Sequence, residues 1–156
     1  MIYKEDAKYL KEAIRKSREA TKKGGFPVGA LIVKNNKVIS FGFSNGKTKK
    51  DATLHAEIDA IRKASKKLNS RNLPNTTLYS SLEPCLMCFS ATYWAYIPRI
   101  VYACSKKKVS RMHYEGTQNL DIINKNNNRK IELVHISELE KEAFDVIKDW
   151  EESLKR

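Results

Sequence analysis

The hydrophobic positions fall into blocks whose spacing changes along the chain. From Asp6 to about Lys22, Ala7, Leu10, Ala13, Ile14 and Ser17 recur at helical spacing with charges between them, and Gly24-Gly25 then closes that helix. The run from Pro27 to Lys34 is rich in β-branched residues, and Asn35-Asn36 separates it from a second such run, Lys37 to Phe43. This pattern predicts two strands joined by a tight turn, a hairpin. A polar loop over 44–53, with Lys47, Lys49 and Lys50, leads to a helix over 54–68 in which Leu54, Ile58, Ile61 and Leu68 lie near one face. After a turn over 69–75, Thr76 to Ser80 reads as a short strand, Glu83-Pro84-Cys85 as a helix start, and 85–96 as an apolar helix closed by Pro98. Arg99 to Cys104 is a further strand, and 106–128 is polar with a short helix around Leu120 to Ile123. Ile131 to Ile136 is the last strand, and Ser137 with Glu140 three residues on is a capping-box signal for the final helix. Five strands thus alternate with about five helices. Helical crossovers imply largely parallel pairing beyond the first hairpin, with helices on both faces. The expected fold is an α/β, three-layer α/β/α sandwich around a five-stranded mixed sheet.

Length and composition narrow the possibilities. The 156 residues are one domain's worth, expected to form one unit over 1–156, and no period, Pro-rich stretch or Gly/Ser-rich stretch suggests a linker. With 41% hydrophobic and 31% charged residues the chain is too apolar for disorder, and the N-terminus has no uninterrupted apolar run that would serve as a signal peptide or membrane span. A cytoplasmic protein with no membrane partner is expected. Thirty Lys plus Arg against eighteen Asp plus Glu give a net charge of +12, a field that attracts anions, nucleic acid included. A basic surface marks a polyanion site only where the charge clusters on one face, so a solvated surface is the simpler reading.

The chemistry concentrates in a few residues. Of three cysteines, Cys85 and Cys88 stand one helical turn apart at a helix start, where both thiolates point to one place and the helix N-terminus lowers their pKa. Such a pair serves as a redox dithiol, as half of a four-cysteine structural zinc site, or as two ligands of an open catalytic zinc. Cys104, at the end of an apolar strand, reads as a core residue, so no second Cys-x-x-Cys completes a four-cysteine set. Among the histidines, His113 sits in a polar loop and His135 in a strand, whereas His55 begins a helix two residues before Glu57. His55-Ala56-Glu57 followed by Pro84-Cys85-Leu86-Met87-Cys88 matches the general His-x-Glu and Pro-Cys-x-x-Cys signature of zinc deaminases. One imidazole and two thiolates leave a fourth Zn2+ position for water. An unligated Glu57 beside it can take the proton of that water and pass it on, first to the ring and then to departing ammonia.

Nearly the whole chain resembles the cytidine deaminase-like superfamily, in its branch of guanine, cytosine and tRNA adenosine deaminases. The resemblance is carried by GGFPVGALIV, ATLHAEIDAIRKA, TTLYSSLEPCLMC and IPRIVY. It implies a five-stranded α/β/α sandwich, zinc between two helix starts, and a homodimer. It also implies that Asn45 contacts the substrate at the site's mouth and that the backbone N–H of Ala56 meets a base oxygen. The interval from Asn45 to His55 is one residue shorter than in that branch. SATYWAY after the second cysteine is similar to the guanine deaminases, whereas DATLHAE and the late IKDWEESL are similar to the cytosine deaminases. A free base, guanine or cytosine, is the favoured substrate. A nucleoside, or adenosine in tRNA, is the alternative, for which the +12 charge speaks. A zinc-containing nucleic-acid-binding module without catalysis and a dithiol redox protein remain as other classes.

Several flanking residues have both a packing and a binding reading. Trp94 on the apolar helix and Trp150 on the last helix either fill the core or wall the base pocket, and Phe26 either stacks on the substrate or fills the core edge. Glu151 and Glu152 can read an exocyclic amino group or be solvated. Lys106, Lys107, Lys108 and Arg111 are phosphate-contact candidates that read equally as a solvated charge run.

Overall fold

A computed structural model describes residues 2–114 and 118–156. Of the polar stretch 106–128, residues 115–117 lie outside the described residues. The order is α1 (Ile2–Lys22), β1 (Gly29–Lys34), β2 (Lys37–Phe43), α2 (Gly46–Lys49), α3 (Ala56–Leu68), β3 (Thr76–Leu82), α4 (Leu86–Trp94) and β4 (Arg99–Cys104). A 3-10 turn (Lys106–Lys108), α5 (Leu120–Asn126), β5 (Glu132–His135), a second 3-10 turn (Ser137–Leu139) and α6 (Glu140–Ser153) follow. The five strands form one sheet in the order β2-β1-β3-β4-β5. The hairpin turn falls on Asn35 and Asn36, with φ of 50° and 57°, the left-handed values that let a two-residue turn follow the strand twist.

Pairing is less parallel than the crossovers imply. β3, β4 and β5 run parallel, but β1 is antiparallel to β3 as well as to β2, so the hairpin is not the only antiparallel pair. The physical reason is strand order. The chain leaves β2, crosses through α3 and re-enters beside β1 on the hairpin's inner side, and a strand parallel to β2 must oppose β1.

Two glycines fix the layers. A Cβ on Gly29 would sit 2.3 Å from the Ala13 carbonyl oxygen, and one on Gly42 would sit 1.9 Å from that of Ala56. Gly42 pairs with Ala30, the residue after Gly29, so the two glycines present opposite sheet faces, and α1 and α3 cover opposite faces. That close approach explains a second difference from the sequence pattern. The buried face of α3 carries Ala56, Ala60 and Ala64, while Leu54, Ile58, Ile61 and Leu68 are only half-buried, because small residues let the helix lie on Gly42. The capping box of the last helix also fails to form. Ser137 to Leu139 make a 3-10 turn, and the Glu140 carboxylate instead accepts the N–H of Ser105 at 3.1 Å.

At the sheet end remote from the site described below, Asp6 on α1 is buried and bridges two strands. It accepts both guanidinium Nη groups of Arg99 at 2.7 Å and the hydroxyl of Tyr79 at 2.7 Å. Burial alone would raise its pKa, but the hydrogen bonds from Arg99 and Tyr79 and the Arg99 charge hold the carboxyl below its ordinary value of 3.8. Asp6→Asn is expected to cost about 3 kcal/mol in urea unfolding near neutral pH, because it leaves the sheltered arginine undercompensated. A carboxyl with a lowered folded pKa stabilises fully above its unfolded value and ceases to do so as pH falls through the folded one. The gap between variant and parent should therefore narrow as unfolding is measured from about pH 7 down to about pH 3.

Candidate active site

Two helix starts converge at the ends of the central strands. His55 is the residue that caps α3, with extended backbone (φ −72°, ψ 161°), and Cys85 caps α4 in the same way (φ −70°, ψ 171°). Each helix therefore directs its unbonded first-turn N–H groups and positive dipole end toward the same space. Cys88, one turn into α4, is buried. His55 Nδ1 lies 3.5 Å from Cys85 Sγ and 3.6 Å from Cys88 Sγ, and the three donor atoms all lie within 4.8 Å of one another. Such a soft set of one imidazole and two sulfurs is suited to a tetrahedral metal with one position left over.

The electrostatics favour thiolate at Cys85 and thiol at Cys88. The Cys88 thiol and His55 donate to Cys85, and against the opposing effect of burial its pKa is lowered to about 4. Cys88 is shifted upward by its hydrogen bond to Cys85, by burial and by the Glu57 carboxylate. Hydrogen bonding to Cys85 raises His55 despite burial. Cys85 is thus poised as thiolate while Cys88 holds a proton that a bound cation would displace.

Glu57, in the first turn of α3, is buried beside this set without belonging to it. Its Oε1 lies 3.1 Å from the Ser80 hydroxyl and its Oε2 accepts from the Cys88 thiol at 3.4 Å. Burial, then the Cys85 charge, raises the carboxyl's pKa. Ser80 was not singled out by the sequence. Its signal is a polar pair, Ser80-Ser81, inside a buried strand just ahead of Glu83-Pro84-Cys85, where Ser81 in turn accepts the N–H of Gly29 at 3.1 Å.

A cavity of about 500 Å³ opens over these residues. Among the residues predicted to meet substrate, Phe26, Ala56 and Trp150 line it. Phe26 and Trp150 touch, with ring centroids 4.6 Å apart and planes at 49°. Trp94 does not join them. It is 63% exposed at the end of α4, away from both core and cavity, because its helix face turns outward beyond the buried Phe89 and Thr92. Asn45 precedes α2 and is half-buried, and the cavity wall at that point is formed by Ser44, Gly46 and Lys47. His113 and Tyr114 line the cavity although nothing in their polar stretch, which has no periodicity, points there. Cys104 is fully buried in the core. His135 stacks on Tyr102 at 4.9 Å, with Nε2 2.9 Å from the Ala103 carbonyl. Lys106 is half-buried against Glu83, whereas Lys107, Lys108 and Arg111 are exposed.

Comparison with known proteins agrees with this geometry. Residues 3–104 match the family described as the cytidine and deoxycytidylate deaminase zinc-binding region. Guanine deaminase of Bacillus subtilis (strain 168) is 45% identical over 110 residues, 70% of this chain and 70% of that enzyme. A tRNA-specific adenosine deaminase of Aquifex aeolicus (strain VF5) is 40% identical over 100 residues, 64% of this chain and 66% of that enzyme, slightly under two thirds of its length. The fold superposes on the X-ray structure of guanine deaminase from Bacillus subtilis with a TM-score of 0.69 at 31% identity, covering 94% of this chain and 93% of that one. The family match contains both His55-Ala56-Glu57 and Pro84 to Cys88, and the chain belongs to the cytidine and deoxycytidylate deaminase zinc-binding family.

Proposed function

We propose that this chain is a zinc-dependent hydrolase that replaces the amino group of a nucleobase with oxygen and releases ammonia, free guanine or cytosine being its substrate. One observation carries the reading: a buried carboxylate, Glu57, sits against a His55, Cys85, Cys88 donor set without being part of it. In this reading His55, Cys85 and Cys88 hold Zn2+, which as a Lewis acid makes water a nucleophile near neutral pH. Glu57 takes a proton from the attacking water and delivers it to the ring nitrogen beside the amino-bearing carbon. It then transfers the second proton to the leaving amine, so that water and the amino compound become the oxo compound and ammonia. Ser80, whose hydroxyl divides between the Leu82 carbonyl at 2.7 Å and Glu57 Oε1 at 3.1 Å, gives that carboxylate a polar neighbour on its buried side. Ala56, the first residue of α3, has a backbone N–H with no intrahelical acceptor and so can donate to an oxygen of the base. Phe26 and Trp150 form an aromatic wall for a flat ring. Asn45 contributes a polar contact at the mouth, by resemblance to the family.

The roof supports a small substrate. Trp150 and Leu154 of the C-terminal segment line the cavity with Phe26 and His113, and the rings of Phe26, His113 and Trp150 form one cluster sized for a single flat ring. The tRNA reading is favoured by the charge of +12 and by Lys47 at the rim. A panel of guanine, cytosine, adenine, their nucleosides and tRNA, assayed for ammonia with the zinc-loaded protein, separates the two. Ammonia from a free base is expected. Ammonia from tRNA alone, with an affinity that drops steeply as salt rises, would transfer the assignment to the second reading.

The same reading makes residues 1–156 one catalytic unit acting in the cytoplasm, where free thiols such as Cys85 and Cys88 persist. No helix among the described residues is long and apolar enough to cross a membrane. A homodimer gives the exposed Trp94 and Tyr96 at the end of α4 a partner surface.

A further inference from the structure

The stretch 105–114 reaches the cavity through its last two residues, and its internal bonds join only near neighbours in sequence. Beyond one 3-10 turn, the N–H groups of His113 and Tyr114 reach the Ser110 carbonyl at 3.2 and 3.0 Å, and those of Lys107 and Met112 reach the Ser105 and Ser110 hydroxyls at 3.3 and 3.2 Å. Yet it delivers two rings to the cavity: His113, whose ring meets Trp150 edge-on at 5.0 Å between centroids, and Tyr114. A segment of this kind keeps its place through groups outside it. Glu83 supplies such groups at both ends. Its carboxylate accepts the Lys106 N–H at 3.0 Å and the Ser105 hydroxyl at 3.4 Å, and lies 3.6 Å from the Lys106 ammonium. Its backbone carbonyl accepts the Tyr114 hydroxyl at 3.1 Å. Both side chains of the ion pair are only 12% exposed, so the pair is sheltered from the screening that makes surface pairs nearly worthless. Lys106 also donates to the Gln118 carbonyl.

Glu83 stands two residues before Cys85, so the strap 105–114 is attached beside the start of the helix that carries two of the three donors. Among the described residues no hydrogen bond engages the imidazole of His113, so its ring nitrogens are available to the polar edge of a bound ring.

We infer that Glu83 is a positioning residue for substrate recognition: it pins residues 105–114 to the start of α4, holding His113 and Tyr114 against the substrate cavity. The inference deepens the deaminase reading and rests on it for the kinetic part of its test. His55, Glu57, Cys85 and Cys88 are placed by α3 and α4 themselves. Release of the strap therefore weakens ground-state binding more than it slows the chemical step.

The test uses the full-length, zinc-loaded protein carrying Trp94→Phe, which leaves Trp150 as the sole tryptophan of the two in the chain. Glu83→Gln in this background is expected to raise acrylamide quenching of Trp150 by about twofold or more as His113 leaves its ring, with metal content and far-ultraviolet circular dichroism unchanged. Tyr114→Phe, which removes the bond to the Glu83 backbone carbonyl at the other end, should produce a rise of the same kind, and the double variant should fall short of the sum, because both changes release the same segment. With the base that yields ammonia, KM should rise by about fivefold or more, a larger factor than any change in kcat. Unchanged quenching in both variants overturns the inference, as does loss of metal with an unchanged KM, which would make Glu83 a support for Cys85. The fluorescence result needs no substrate, so it stands even if no base in the panel yields ammonia. Should Glu83→Gln fail to fold, Lys106→Met, which takes the ammonium away from the Glu83 carboxylate, decides in its place by the same quenching readout.

Discussion

Replacing Glu57 with glutamine is expected to lower kcat for ammonia release by about a thousandfold, a typical loss for a general acid-base group, while leaving one metal bound per chain. Glutamine matches glutamate in shape and still offers Oε1 to the Ser80 hydroxyl, so the pocket need not rearrange. What it cannot do is carry a proton. Glu57 is 4% exposed and held above the usual carboxylate range by burial and the neighbouring Cys85 charge, so stability should not fall and can rise when the acid is replaced. Steady-state ammonia release, elemental analysis and a thermal melt check the three parts together. Loss of metal would make Glu57 a ligand, and retained turnover would remove it from the chemistry.

Cys88→Ala should abolish metal binding and activity together. Cys88 is fully buried, 3.6 Å from His55 Nδ1, and no other cysteine is placed to substitute, since Cys104 lies in the core outside the donor set. Two remaining donors bind a transition metal far more weakly than three, and the ligands tie the start of α3 to that of α4. The apo variant should therefore also melt at a lower temperature. Cys104→Ala is the control. It gives up some core packing and keeps the metal. Metal per chain after dialysis against a mild chelator distinguishes the two variants, and equal loss in both would show that Cys104 participates.

Much of this arrangement is legible in the sequence, for reasons that are local. His55-x-Glu57 and Cys85-x-x-Cys88 declare themselves because ligand spacing on a helix start is a matter of a few residues, and β2 and β4 follow from β-branched runs with clear boundaries. The hairpin turn follows from Asn35-Asn36. The features that were not legible depend on contacts between distant segments. Antiparallel pairing of β1 with β3 is decided by where a crossover lands. The buried face of α3 is set by Gly42 on another element, so alanines take the positions that its larger aliphatic residues were expected to occupy. Glu140 is drawn from a local cap to the Ser105 N–H. Trp94 reads as core or pocket from its neighbours, yet is largely exposed. His113 and Tyr114 reach the cavity from a stretch with no pattern to read, held by Glu83 from another part of the chain.

Deamination at this site requires a single trio of donors to share one ion while a neighbouring acid stays free. X-ray absorption at the zinc edge, on protein purified without chelator and on its Glu57→Gln variant, addresses this directly. The expected result is one zinc per chain with two sulfur neighbours at about 2.3 Å and one imidazole nitrogen, unchanged in the variant. Protein that holds no zinc, a shell of three or more sulfurs, or a shell that changes when Glu57 is replaced would contradict it.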